Sequence, residues 1–454
     1  MISSISPTDG RLLAEYEETT PEQVQTQIEV ASQLQEQWEQ VAIGERAIPM
    51  RRMADLLETH RHELGELMAD EMGKPVAQGV AEAEKCAWVC RHYADNAQRI
   101  LEDEAISADR TKSYVAYRPL GVVLAVMPWN FPLWQVYRFM APALMAGNAG
   151  LLKHASNVTG CALWIDRLAG EAGFPDGLFR SLVLPSSRVG EVLEHPDVVA
   201  VTLTGSDPAG RAVASKAGSL LKKTVLELGG SDPYIVLADA DLEMAAATCS
   251  TSRLINGGQS CIAAKRFIVE ESVVDEFTTL FADQLSGAVL GDPRDPATTL
   301  GPMARVDLRD ELHDQVERSV AAGARLVIGG RKPEGPGAFY PSTLLADVSE
   351  GMAVYHEETF GPVAAVIAAK DLDDAVRIAN DSDFGLGAAI FTSDLALGEK
   401  VARDRLQAGA CFVNAFVASD PRLPFGGIKM SGYGRELADI GMREFLNAKT
   451  VVVA

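Results

Sequence analysis

Residues 119–137 read PLGVVLAVMPWNFPLWQVY, 19 positions without a charged side chain. A membrane-spanning helix needs roughly 20 apolar residues. However, Pro119, Pro128 and Pro132 interrupt this run, Asn130 lies between the last two, and Arg138 follows at once. Proline removes a backbone donor and breaks a spanning helix. The stretch therefore predicts a buried strand over 121–127, an exposed turn over 128–132 and a helix from Leu133 to Met145.

The same texture continues on the C-terminal side. Short apolar runs at 149–153, 179–184, 198–204 and 224–228 alternate with helical patterns at 162–172 and 209–221. Strands that alternate with helices make a parallel sheet covered on both faces. A second series follows, with strands at 234–237, 266–269, 326–328, 363–367, 388–392 and 410–414. Helices are predicted between them at 242–255, 273–286, 305–322, 373–379 and 395–406. Two α/β domains in series result. On the N-terminal side, Thr20-Pro21-Glu22-Gln23 has the form of a helix start. One long helix is predicted from about Arg46 to Met72, and another carries Cys86, Trp88, Cys90 and Tyr93.

A chain of 454 residues with 47% hydrophobic side chains is long enough for more than one core. Its net charge of −22 excludes nucleic-acid and anionic-membrane binding as general functions. No basic region followed by an apolar stretch opens the chain, and the six cysteines stand at scattered positions. A reducing, cytoplasmic setting fits that pattern. There is no G-x-G-x-x-G, phosphate-loop, G-x-S-x-G or H-E-x-x-H motif. Cys86, Cys90 and His92 are small core thiols beside a surface histidine, and no metal is predicted.

Four local patterns carry chemistry. In Asn256-Gly257-Gly258-Gln259-Ser260-Cys261 a thiol follows two glycines. It is either an approachable nucleophile or a buried structural cysteine. Glu227 ends an apolar strand before Gly229-Gly230. Burial there would suit it to general-base work, although an edge carboxylate paired with lysine has the same appearance. Prolines on both sides of Asn130 stiffen its turn, so its amide is either an oxyanion donor or simply satisfied within the turn. In Thr204-Gly205-Ser206-Asp207-Pro208 a strand meets a helix N-terminus, with Asp207 as the cap. Such an end binds phosphate. Together the four suggest oxidation of an aldehyde with a nicotinamide cofactor.

The chain resembles the NAD(P)-dependent aldehyde dehydrogenases along essentially its whole length. The motifs are MPWNFP at 127–132, LTGS at 203–206, LELGGSDP at 226–233, GQSC at 258–261, EETFGPV at 357–363 and PFGGIKMSGYGRE at 424–436. Within that family it is most similar to the short bacterial succinate-semialdehyde dehydrogenases, through Lys153-His154-Ala155-Ser156-Asn157, Trp134 with Arg138, and Ser419-Asp420-Pro421-Arg422. The resemblance implies a Rossmann-like cofactor domain (1–100 and 119–228), an α/β catalytic domain (229–420) and a small β arm (101–118 and 436–454). The arm would add to a partner's sheet in a homodimer, with a homotetramer left open.

For the site, the resemblance implies Cys261 as nucleophile, Asn130 with the Cys261 N–H as oxyanion donors, and Glu227 as the base for hydrolysis. Trp129, Lys153, Ser156, Gly205, Ser206, Gly229, Glu358 and Phe360 would hold the cofactor. Many NAD-preferring members have proline next after the lysine and an acid at the position of Ser156; here stand His154 and Ser156. A carboxylate would repel a 2′-phosphate, whereas serine donates to it, so NADP is favoured over NAD. Substrate contacts are expected from Trp134, Ser419 and Arg138, the last either a carboxylate clamp at the tunnel mouth or one half of a salt bridge. The alternatives are another semialdehyde or a simple aliphatic aldehyde as substrate, a cofactor-free thiol hydrolase, and a non-catalytic family member.

Overall fold

The computed structural model describes all 454 residues. Its first sheet has six strands in the order 432–433, 223–227, 198–204, 122–127, 149–154 and 179–181. The last five run parallel, and the short edge strand Gly432–Tyr433 runs antiparallel to Glu227 and Leu226. Val122–Ala125 and Met127 are buried, as befits a strand with helices on both faces. The chain moves one way from 122–127 through 149–154 to 179–181, then returns to the other side at 198–204. The sheet therefore reverses between strands 122–127 and 198–204, and a crevice opens beyond their carboxyl ends. Pro128–Asn130 and Gly205–Ser206 emerge there.

A second sheet of seven strands has the order 325–328, 343–346, 363–369, 266–270, 233–236, 387–391 and 410–413. One apolar cluster lies on each face, around Ile235, Ile268 and Ile390 on one side and Tyr234, Phe267 and Phe391 on the other. This inward and outward alternation follows from the two-residue period of a strand. The N-terminal ends of these strands face the C-terminal edge of the first sheet. Gly229-Gly230 passes from one to the other, and the Cys261 loop and the Glu358–Phe360 loop enter strands 266–270 and 363–369.

Several details differ from the sequence prediction. The second sheet is mixed, because 325–328 pairs antiparallel with 343–346. Strand Thr343–Ala346 was not predicted; four buried residues are too few for a period to emerge. Strand Phe179–Ser181 stops three residues early. The long helix divides into Ile43–Thr59 and Arg61–Met72, with His60 at φ −98°, ψ 12°. Thr59 Oγ1 donates to Asp55 O, and His60 Nδ1 lies 2.6 Å from Glu63 Oε2. Such side-chain bonds compete with the helix ladder. An N-terminal hairpin, Ile2–Ile5 with Leu12–Tyr16, was likewise too short to predict. Strands Leu446–Val453, Lys112–Pro119 and Glu104–Ala105 form a separate three-stranded sheet. Helix Ala438–Arg443 lies against helix Trp134–Ala146. No helix is long and apolar enough to cross a membrane.

Candidate active site

The crevice at the reversal of the first sheet is a cavity of about 230 Å³. Its lining includes Trp129, Gly205, Ser206, Gly229, Glu358 and Phe360, six of the eight cofactor residues proposed from the sequence, together with Asn130 and Cys261. Trp129 and Phe360 meet edge to face with ring centroids 5.6 Å apart. Helix Asp207–Ser219 starts one residue earlier than predicted, so Ser206 is the cap. Its hydroxyl makes no cap bond, and Asp207 turns aside to accept from Arg211. The first helical N–H groups thus remain free to meet an anion.

Glu358 Oε1 accepts from the Gly230 N–H at 2.9 Å. A Cβ at Gly229 would lie 2.4 Å from Glu358 Oε2, so the glycine permits this close approach. The two remaining cofactor candidates, Lys153 and Ser156, stand at the end of strand 149–154. Lys153 is buried, donates to Ser186 Oγ at 3.1 Å and has no carboxylate partner. Burial lowers its ammonium to about 8. Between them, His154 Nε2 lies 2.8 Å from Pro132 O, while the Ala155 N–H donates to Nδ1 at 2.9 Å. Nδ1 also lies 3.3 Å from Met127 O, and burial lowers the imidazole pKa to about 4. His154 therefore ties the cofactor strand to the turn that carries Asn130.

The cysteine loop is held by its own irregular backbone. Asn256, Gly257 and Gly258 all take positive φ, at 54°, 62° and 73°. Asn256 Nδ2 donates to Asn130 O at 2.7 Å and to Gln259 O at 3.0 Å, and Asn130 Nδ2 donates to Gln259 O at 3.1 Å. The Asn130 turn and the Cys261 loop form one hydrogen-bonded unit. Asn130 keeps a second N–H, and the Cys261 N–H has no partner within the chain. Cys261 is partly exposed, yet its apolar surroundings push the thiol up to about 12. Lys265 Nζ donates to Cys261 O at 2.7 Å and to Ser260 O at 2.9 Å, which fixes the loop from below.

Glu227 lies at the end of strand 223–227, fully enclosed, with neither carboxylate oxygen hydrogen-bonded. Burial raises its pKa well above the usual range, and the buried Glu436 raises it further, against the pull of Arg138. In this conformation it lines neither cavity beside Cys261. Glu436 is ion-paired with Arg138.

On the far side of Cys261 is a larger cavity of about 470 Å³. Phe131, Trp134, Ile262 and Phe425 give it apolar walls, and Ser419 and Arg138 lie in the lining. For Arg138 the structure shows the salt-bridge alternative. It is not a free clamp at the mouth: its side chain is 1% exposed, neutralised by Glu436, stacked 4.5 Å from the Phe425 ring centroid and donating to Thr204 Oγ1 at 3.3 Å. Helical spacing gives the face on which an arginine projects, but not the acid that waits there from residue 436.

The family model "Aldehyde dehydrogenase family" matches residues 1–451. The chain belongs to the aldehyde dehydrogenase family. The dehydrogenase is 48% identical over 456 residues to succinate-semialdehyde dehydrogenase [NADP(+)] 1 of Mycobacterium tuberculosis, covering 100% of both chains. It superimposes on succinic semialdehyde dehydrogenase from Streptococcus pyogenes, solved with NADP+, with TM-score 0.97 and 36% identity over 100% of both chains. Similarity extends to an NAD-dependent aldehyde dehydrogenase from Sinorhizobium meliloti, with TM-score 0.96 and 33% identity over 100% of this chain and 91% of that one.

Sequence reasoning missed several residues of this aldehyde dehydrogenase. Asn256 was in view within the cysteine motif but had no assigned partner. Ser186 and Lys265 carry no local signal, and Glu436 ends the 424–436 motif but had no assigned partner. Lys85 sits mid-helix in 76–100, and only the fold brings it to the cavity.

Proposed function

We propose that the dehydrogenase oxidises succinate semialdehyde to succinate and prefers NADP+ to NAD+. The observation that carries this is the position of Cys261, which lines both cavities and so faces two ligands at once. In this proposal the thiolate of Cys261 attacks the aldehyde carbon from the larger cavity to form a thiohemiacetal. The free Asn130 N–H and the Cys261 N–H stabilise the oxygen anion. NADP+, when bound, takes up the hydride from that carbon, and a thioester to Cys261 remains. Glu227 turns out from behind the wall and removes a proton from the hydrolytic water. A cofactor-free hydrolase would have no use for an open helix N-terminus beside its thiol.

The cofactor fits the residues present. Ser206 and the amides of helix 207–219 meet the pyrophosphate, Gly205 and Gly229 permit close approach, and Glu358 binds a ribose. Trp129 and Phe360 flank the nicotinamide. Lys153 and Ser156 meet the adenosine ribose and its 2′-phosphate. Lys153 without a counter-ion supports this assignment, since a buried cation is costly alone.

The division into a cofactor domain (1–100 and 119–228), a catalytic domain (229–420) and an arm (101–118 and 436–454) is proposed likewise. Strand Leu446–Val453 leaves one edge unpaired and exposes Val452 and Val453. An unpaired edge is suited to adding strands from a second copy, which supports a homodimer, with a tetramer as its possible doubling. Scattered free thiols support a cytoplasmic location.

The test follows absorbance at 340 nm with succinate semialdehyde and NADP+ or NAD+. Growth of the signal, faster with NADP+, is the expected result. Ester hydrolysis without any cofactor dependence of aldehyde turnover would sink the proposal.

A further inference from the structure

Lys265 is fully buried beneath the Cys261 loop and lines neither cavity. Its Nζ donates to Ser260 O at 2.9 Å and to Cys261 O at 2.7 Å, and lies 3.5 Å from Glu358 Oε1. The Lys265 N–H donates to Asp232 O at 3.1 Å, which ties its backbone to the second sheet. A Cβ at Gly230 would lie 2.6 Å from Cys261 O, so this glycine leaves the carbonyl room beside the lysine. Ser260 O also accepts from the Ala263 N–H, at the longer distance of 3.2 Å. The Ser260 carbonyl and the Cys261 N–H share one trans peptide plane and point in opposite directions. An ammonium that holds Ser260 O therefore aims the Cys261 N–H away from itself, and that N–H has no partner within the chain.

We infer that Lys265 is a positioning residue of the oxyanion site: it orients the Ser260–Cys261 peptide and strengthens the Cys261 N–H as a donor. This rests on the reading of Cys261 as the nucleophile. A cation on a carbonyl oxygen draws electron density through the amide, and linked hydrogen bonds polarise one another where the dielectric is low. The gain is largest where negative charge develops on the substrate oxygen. Holding the loop alone would need only a neutral donor, without the cost of burying a charge. Burial does hold the Lys265 ammonium below its usual range, against the pull of Glu358 and Asp232. Because Lys265 reaches neither cavity, it acts through the peptide that it holds.

Two reactions of the same thiol test this, on full-length wild type, Lys265→Met and Lys265→Gln, with circular dichroism as the check of folding. In the first, p-nitrophenyl acetate is added without cofactor, and Cys261→Ser serves as the blank. The thiolate attacks the ester carbon, a tetrahedral oxyanion forms, p-nitrophenolate leaves and an acetyl thioester remains. In the second, iodoacetamide alkylates Cys261 with loss of iodide and no oxyanion, read at the Cys261 peptide by mass spectrometry. Lys265→Met should slow the acylation burst by roughly 10- to 100-fold. The ratio of acylation to alkylation should fall by at least about 10-fold. Lys265→Gln keeps a shorter, uncharged donor, so the ratio should fall less in the same direction. Equal slowing of the two reactions, or no slowing of acylation, overturns the inference. Selective loss of acylation in a protein that oxidises no aldehyde would uphold the role of Lys265 while defeating the proposed activity.

Discussion

The two cavities that meet at Cys261 prepare for anions in opposite ways. The smaller one, at the reversal of the first sheet, offers backbone: the free amides behind Ser206 and the glycine turn at 229–230. Its cation, Lys153, stands outside the lining. The larger one offers side-chain charge, three cations in apolar walls, of which two are already neutralised. Backbone amides bind an anion without desolvating a full charge, and their direction is set by the fold. A side-chain cation is selective only if no acid of the chain reaches it first.

Removing the element the two cavities share should have the largest effect. Cys261→Ser is expected to lower kcat by roughly 10⁴-fold while NADP+ still binds, measured by turnover and by fluorescence titration. Loss of both together would mean that the cysteine loop builds the cofactor cavity rather than merely facing it.

Next comes the carboxyl behind the wall. Glu227→Gln is expected to lower kcat by roughly 10²- to 10⁴-fold with a burst of NADPH near one per site, as the thioester accumulates. Burial pushes the Cys261 thiol up to about 12 and raises the Glu227 carboxyl in the same direction. Wild-type kcat/KM should therefore rise with pH above neutrality; a fall over that range would contradict the buried environment described for both groups.

The cofactor cavity is probed at its edge by Ser156→Glu. A carboxylate there should weaken NADP+ by roughly 10- to 100-fold, as like charges repel, and NAD+ much less. Equal weakening of the two cofactors would remove Ser156 from the 2′-phosphate site.

Smallest is the effect of salt. The net charge of −22 repels both anionic ligands at long range, and about 0.1 M salt screens this beyond roughly 10 Å. KM for succinate semialdehyde should stay flat or fall as salt is added. A steep rise would mean that the attraction within the cavity outweighs the acidic surface.

How much was legible in the sequence differs between the cavities for one reason. The cofactor side is built from short contiguous segments, 128–130, 204–206, 229–230 and 358–360, whose residue types already state what the backbone must do. The strand pattern placed them at strand ends, where a parallel sheet presents its ligands. By contrast, the Arg138–Glu436 pair joins residues 298 positions apart, and Lys85 and Ser419 are separated by 334. No local period reports on such partners.

By itself, then, the sequence determined the alternation of strands and helices, the glycine-led cysteine loop and the strand-to-helix turn at 204–208, because each is a property of neighbouring residues. Only the tertiary structure decided which buried charges cancel. It gave Lys74 to Glu82 and Arg138 to Glu436 and left Lys85 without an acid, since electrostatic pairing depends on distance in space and on removal from water, neither of which is written along the chain.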